Sequence, residues 1–315
     1  HFTDRRQRQM CIRDRSGPDW NFVDPKSGST FGRSEGLAIA SLRLFEGGVL
    51  SQNGLDDPLR VDAAPLTNIT PKILASVFQV SENNPLVGLE ERAKLLNELG
   101  QALIRHKYMF EFGDALRPGN LYDYFLQRQE KGVLEAREIL IAILKSMGEI
   151  WPDGSWVDSI AIGDAAYHEA VKRSDITDRI VPFHKLSQWM SYSLIEPLQL
   201  AGIKIIHLDA LTGLAEYRNG GLFIDTGTIS LRDKTEMETL HDPKSPLIVE
   251  WRALTVTLLD QLAEQIRRHT NTNAESMPLV SILQGGTWSA GRRIAQRLRS
   301  DASPPLRLKS RGTIF

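Results

Sequence analysis

Between Leu247 and His269 the chain runs without a glycine or a proline, and Leu254, Leu258, Leu262 and Ile266 recur through it at four-residue intervals. Apolar side chains at that spacing share one face of an α-helix and no face of a strand. Pro246 precedes the run, where a missing N–H costs nothing at a first helical turn. A helix this long must bury its stripe against other elements, so helix packing dominates what the chain can become.

The same period returns elsewhere. From Gly88 to His106, residues Leu89, Ala93, Leu96, Leu99 and Leu103 line one face. Thr70-Pro71 is a cap followed by proline, which predicts a helix to about Phe78. Ser34–Glu46 reads as a helix capped by Ser34 and stopped by Gly47-Gly48. Helices are also predicted over Leu121–Gln129, Val133–Ile150, Ile180–Leu200 (entered through Pro182) and Ser289–Arg299. Gly17–Thr30 and Ser51–Leu66 read as loops, and Trp151–Gly154 as a break. Lys204–Leu208 is a strand or a buried connector, and Pro304–Phe315 an extended tail. About ten helices and at most three short strands result. The absence of strand–helix alternation argues against a doubly wound parallel sheet.

A net charge of -1 over 315 residues gives no support to a general nucleic-acid or membrane surface. No apolar run reaches the roughly 18 residues that span a bilayer. The single cysteine, Cys11, excludes an internal disulfide and makes the cytoplasm the expected compartment. His1–Arg15 lacks the apolar centre of a secretory signal. Met10–Arg15 is also what one reading frame of a common transposon-end sequencing adapter encodes. Residues 1–15 are therefore expected to be non-native, and 16–315 one helical catalytic domain that continues upstream in the natural protein.

Several catalytic motifs are missing: no phosphate-binding Walker loop, no dinucleotide glycine fingerprint and no nucleophile elbow. The seven histidines form no i, i+4 pair, so no zinc site is expected, and no cofactor-binding motif is found. What remains is polar. Glu216-Tyr217-Arg218 sets an acid, an aromatic ring and a cation side by side before Gly220-Gly221. At least one of the three is expected to be buried, where a charge needs a partner or a ligand. A structural Glu–Arg pair at a helix end explains the spacing equally well. Lys185 and Gln188 share a helix face in Phe183–Trp189. Arg252 follows Val249-Glu250-Trp251. Gln284-Gly285-Gly286-Thr287-Trp288, before Arg292-Arg293, reads as glycines feeding a helix N-terminus that could hold a phosphate.

On these motifs the chain resembles a known family. Ser34–Ala38, Phe183–Trp189, Glu216–Gly221, Glu250–Thr255 and Gln284–Trp288 are similar to the uracil-catabolism family of the URC pathway, long a domain of unknown function. The likeness covers roughly Gly17 to Phe315. A more distant likeness joins Pro85–Arg92, Phe183–Gln188, Leu211–Arg218 and Val249–Arg252 to the queuosine salvage proteins, which are queuosine-nucleotide N-glycosylases. It implies a mainly α, multi-helix fold like that of DNA glycosylases. Their catalytic aspartate matches Glu216, one methylene longer.

Together the resemblances imply an N-glycosidase that cuts the C1′–N bond of a ureido-ribose or its phosphate to free urea. Glu216 is then the carboxylate beside C1′, and Asp225 or Asp242 the proton donor. Arg218 pairs with Glu216, and Gln188 orients the urea. Lys185, Arg252, Arg292 and Arg293 are candidates for the phosphate, and Trp189 or Trp288 for packing on the sugar or urea. His184, Tyr217, Gln284 and Thr287 complete the expected substrate contacts. A non-catalytic nucleotide-binding accessory protein and an amidohydrolase acting on the opened pyrimidine are the competing readings. The sequence leaves the oligomeric state open.

Overall fold

The computed structural model describes residues 16–17, 19–151 and 154–309. The suspected foreign segment 1–15 and the last residues of the expected tail, 310–315, lie outside the described residues. The rest divides into two compact units. The described part of the first comprises 16–128 and 149–151; that of the second comprises 129–148 and 154–309.

In the first unit β1 (Asn21–Val23) pairs antiparallel with β2 (Thr30–Gly32). Six helices follow: α1 (Arg33–Glu46), α2 (Ala63–Thr67), α3 (Pro71–Val77), α4 (Leu89–Arg105), α5 (Lys107–Phe110) and α6 (Leu121–Leu126). The two-residue strands β3 (Glu111–Phe112) and β4 (Ala115–Leu116) close a hairpin between the last two helices. The Thr70 hydroxyl accepts the Ile73 N–H at 3.2 Å, so the expected cap of α3 is formed. Trp20 is buried beside Phe22 and Phe78 and donates its indole N–H to the Phe78 carbonyl at 3.0 Å.

Several local expectations change here, beginning with β1, which lies inside the stretch Gly17–Thr30 read as loop. Helix α1 starts at Arg33, with Gly32 rather than Ser34 in the cap position. Helix α2 begins inside the stretch read as loop; five residues are too few to show a period. Helix α6 stops at Leu126 rather than Gln129.

The second unit opens with β5 (Val133–Glu135) and α7 (Ala136–Met147). Next come β6 (Ser155–Val157), β7 (Ile160–Gly163), β8 (Ala165–Tyr167), β9 (Ile180–Pro182), α8 (Lys185–Leu200) and β10 (Lys204–Ile206). Helix α9 (Tyr217–Asp225), β11 (Leu240–His241), α10 (Pro246–Thr270) and α11 (Leu279–Ile282) follow. A π-helical segment, Leu283–Trp288, then runs straight into α12 (Ser289–Leu298), and β12 (Arg307–Leu308) ends the unit. Phe223 of α9, Leu259 and Ala263 of α10, and Leu279 and Ile282 of α11 form one buried apolar cluster. Burial of each such large side chain stabilises by about 1.5–3 kcal/mol.

The predicted helices at 133 and 180 both begin later than their sequence pattern. Val133–Glu135 pairs parallel with Lys204–Ile206, and Ile180–Pro182 pairs antiparallel with Ala165–Tyr167. Strand partners distant in sequence override the local helical period there. Pro182 therefore ends a strand instead of starting a helix. The described chain is mainly α, with strands of two to four residues in two-stranded pairs. Such short pieces carry almost no alternation, which is why more of them exist than the sequence shows. Among the described residues no helix is long and apolar enough to cross a membrane.

Candidate functional site

Three of the polar groups singled out in the sequence, Glu216, Lys185 and Arg252, lie together in the second unit, around the N-termini of α8 and α9. Glu216 caps α9. One carboxylate oxygen accepts the Asn219 N–H at 2.6 Å and the other the Arg218 N–H at 3.0 Å. A glutamate side chain satisfying two orphan amides of a helix start has the helix dipole behind it. Glu216 is only 5 % exposed. Burial pushes its carboxyl above the ordinary glutamate value; the two N–H bonds and the charges of Lys185 and Arg218 oppose this without cancelling it.

Asn219 ties this cap to the π-helical segment. Its side-chain amide donates to the Leu214 carbonyl at 3.2 Å, and its side-chain oxygen accepts the Thr287 hydroxyl at 2.9 Å. Thr287 thus supports Glu216 through Asn219. The glycines of the motif permit close crossing. A Cβ on Gly220 would stand 2.6 Å from the Thr255 hydroxyl, and one on Gly291 of α12 only 2.2 Å from the Arg218 carbonyl oxygen. Gly291→Ala is expected to push α12 away from α9 and to cost about 1–3 kcal/mol. Chemical denaturation of the variant reads this directly; unchanged stability would mean the helices part without penalty.

At α8 the decisive residue is Asp164, in the link between β7 and β8. Its carbonyl accepts the N–H groups of Phe183 at 3.0 Å and His184 at 2.8 Å. Its carboxylate accepts the Lys185 N–H at 3.0 Å and two bonds, 2.8 and 2.9 Å, from one terminal nitrogen of Arg252. Burial pushes Asp164 up, but the charge and hydrogen bonds of Arg252, with Lys185, outweigh it and hold the carboxyl below its ordinary value. The Arg252 guanidinium also lies 3.9 Å from the centre of the Phe183 ring.

Lys185 is 2 % exposed, and its charge acts on both Asp164 and Glu216. His184 holds a left-handed backbone, φ 47°, at the cap of α8. Strained non-glycine backbone of this kind persists only where its surroundings over-determine it. Burial lowers its imidazole from the ordinary value, and Nδ1 has no hydrogen-bond partner among the described residues. Gln188 is buried, and its side-chain oxygen accepts the Thr212 N–H at 3.2 Å.

Other expected residues stand elsewhere or act differently. Asp225 ends α9, and its carboxylate takes a two-pronged bond from Arg299 at 2.9 and 2.6 Å. Nine residues of helix separate it from Glu216, about 13 Å at 1.5 Å per residue. Asp242 is exposed and accepts the Lys244 N–H in the turn before α10. Asp225 therefore stands away from Glu216, and Asp242 is exposed where Glu216 is buried. The Glu216 carboxylate is held by the backbone N–H of Arg218, while the Arg218 guanidinium donates to the Ala302 carbonyl at 2.6 Å. Tyr217 packs on Ile248, Trp251 and Leu306.

Gly285 and Gly286 feed no helix N-terminus. The helix is continuous from Leu279 to Leu298, so their N–H groups lie inside it rather than facing a phosphate. Trp288 is half-buried, its indole N–H lacks a partner among the described residues, and Arg292 lies 5.8 Å from its ring centre. Trp189 is half-buried and Arg293 exposed. The π-helical turn that carries Gln284 is a local geometry often kept at functional sites.

Fold and site define a mainly α protein with a buried carboxylate–cation cluster at the start of two helices. The chain belongs to the family described as "Protein of unknown function (DUF1688)", which it matches over residues 12–315. It is 39 % identical over 303 residues to "Protein urg3" of Schizosaccharomyces pombe, an alignment covering 95 % of this chain and 71 % of that protein. It is 37 % identical over 328 residues to "Uracil catabolism protein 4" of Lachancea kluyveri, covering 95 % of this chain and 73 % of that one. The resemblance to the uracil-catabolism family is thereby borne out.

Proposed function

We propose that the chain is an N-glycosidase-like hydrolase of uracil catabolism, cleaving the C1′–N bond of a ribosylurea or its 5-phosphate. The names of its relatives support the pathway. The reaction rests on one observation: a desolvated carboxylate, Glu216, is fixed by two backbone N–H groups within reach of the charge of the buried Lys185.

Breaking a glycosidic C–N bond builds positive charge at C1′. A carboxylate out of water stabilises that charge far more than one in bulk solvent. Water adds its oxygen to C1′ and gives one proton to Glu216. The urea nitrogen leaves with the bonding pair and takes that proton, so a single carboxyl balances the step. A group whose proton affinity is raised by burial suits this shuttle. It also replaces Asp225, which α9 carries away from Glu216, and Asp242, which is exposed. Lys185 and Arg252 hold the ribosyl end, and Gln188 presents its amide to urea.

The test is product analysis. The purified protein is incubated with ribosylurea and with ribosylurea 5-phosphate. Urea plus ribose, or ribose phosphate, is the expected outcome. Unchanged substrate points to the accessory-protein reading, which the purely structural side of the Glu216 cap favours. A deaminated product points to an amidohydrolase. The pH profile adds a second check. The ionised form of Glu216 is the active one and its pKa is raised. The acid limb of kcat/KM should therefore lie above the ordinary glutamate value of 4.5, activity falling as pH drops through it.

A further inference from the structure

We infer that Asp164 is the positioning residue of this site: one buried carboxylate that sets both Lys185 and Arg252 for the ribosyl end of the substrate. The inference rests on the glycosidase reading above, and assigns a role to a residue that touches neither the sugar nor the urea.

Three kinds of contact converge on Asp164. Its main-chain carbonyl receives the N–H groups of Phe183 and His184, which fixes the chain just before α8. Its side chain receives the Lys185 N–H, doing for α8 from a distant strand link what a local cap residue does elsewhere. The same side chain receives Arg252 from α10, whose guanidinium is clamped between it and the Phe183 ring. Lys185 and Arg252 are 67 residues apart, and Asp164 bonds to both, joining the start of α8 to α10. Asp164 carries the register between them.

The charge arrangement adds a reason why this residue must be an acid. Lys185 and Arg252 are both almost fully buried, and two buried cations without counter-charge repel each other and are poorly solvated. Asp164 supplies one negative charge to the pair. Asparagine there keeps an oxygen for the Lys185 N–H but removes the charge that holds Arg252. Asp164→Asn therefore separates the two functions of the side chain.

The consequence is a split between kinetic constants. Groups that hold a part of the substrate remote from the reacting bond contribute equally to ground and transition state. Their displacement raises KM with little change in kcat. A purely structural Asp164 does something else. Its loss lowers the folded fraction, which scales the apparent kcat and leaves KM where it was.

The experiment measures steady-state urea release from ribosylurea 5-phosphate by wild type and Asp164→Asn, at a temperature where circular dichroism shows both folded. The expected result is a KM raised on the order of 10- to 100-fold, the worth of one or two displaced charge-assisted bonds, with kcat within about threefold. If Asp164→Asn does not fold, Asp164→Glu keeps the counter-charge while moving it by one methylene, and the same rise in KM at near-unchanged kcat is expected of it. An unchanged KM in a folded Asp164 variant overturns the assignment while wild-type turnover leaves the glycosidase reading standing. Absence of urea release by the wild type overturns that reading, and the positioning role with it.

Discussion

Glu216→Gln should lower urea release on the order of 10²- to 10⁴-fold, the range that general acid–base groups supply. The substitution keeps shape and removes charge, so the positive C1′ loses its stabilising partner and water loses its proton acceptor. It also disturbs the cap. The Gln oxygen can still accept one amide, at the Asn219 N–H, but the new NH2 group then faces the Arg218 N–H. The cost to stability is about 1 kcal/mol, typical of a weakened N-cap. Activity must therefore be compared well below the melting temperature. Glu216→Asp supplies the control. Aspartate is a strong cap, so the start of α9 should survive. Its carboxylate sits one methylene nearer the backbone, and displacement on the order of 1 Å can itself cost about 10²-fold. A folded, slow Asp variant and a slower Gln variant separate chemistry from capping. Wild-type turnover in Glu216→Gln would leave Glu216 as a cap and nothing more.

Where an element makes its own structure, the sequence shows it. The four-residue apolar rhythm of α10, the Thr70-Pro71 start of α3 and the stripe of α4 all need only neighbours along the chain. The errors fall where a distant partner decides. Val133–Glu135 and Ile180–Pro182 belong to helical stretches by pattern, yet each is captured by a strand that lies elsewhere in sequence. The start of α8 is set by the left-handed His184 and by Asp164, neither visible from the helix itself.

The site divides in the same way. At least one of Glu216, Tyr217 and Arg218 is expected to be buried, because three consecutive residues cannot all face water. The structure buries both Glu216 and Arg218. Arg218 holds the Glu216 carboxylate through its backbone N–H, and its charge also favours the ionised form, while its guanidinium donates to the Ala302 carbonyl. Asp225 and Asp242, the expected proton donors, have other partners: Asp225 pairs with Arg299 at the end of α9, and Asp242 accepts the Lys244 N–H in a turn. Asp164 leaves a trace in the sequence. It is a lone acid in Ile160-Ala161-Ile162-Gly163-Asp164-Ala165-Ala166, and a charge in an apolar run asks for a buried partner.

That buried partner gives the largest stability effect expected of any single change. Arg252→Met should destabilise the protein by about 3–5 kcal/mol at neutral pH, because it strands the Asp164 carboxylate in the interior. The loss should depend on pH, and its sign follows from the direction of the Asp164 shift. In the wild type the carboxyl is held below its ordinary value of 3.8. A depressed carboxyl contributes stability above the unfolded value and loses it as pH falls through the folded one. Without Arg252, burial dominates and the folded carboxyl titrates above the unfolded one. The variant is then least penalised in acid, where Asp164 is neutral, and loses stability as pH rises through its raised value. The gap between wild type and Arg252→Met should therefore be widest near pH 7 and narrow toward pH 4. Denaturant melts at several pH values measure it. Adding Asp164→Asn to Arg252→Met should recover much of the neutral-pH loss, since no unpaired charge then remains. A gap that stays constant with pH would show that Arg252 stabilises through its contact with Phe183 instead of through the carboxylate.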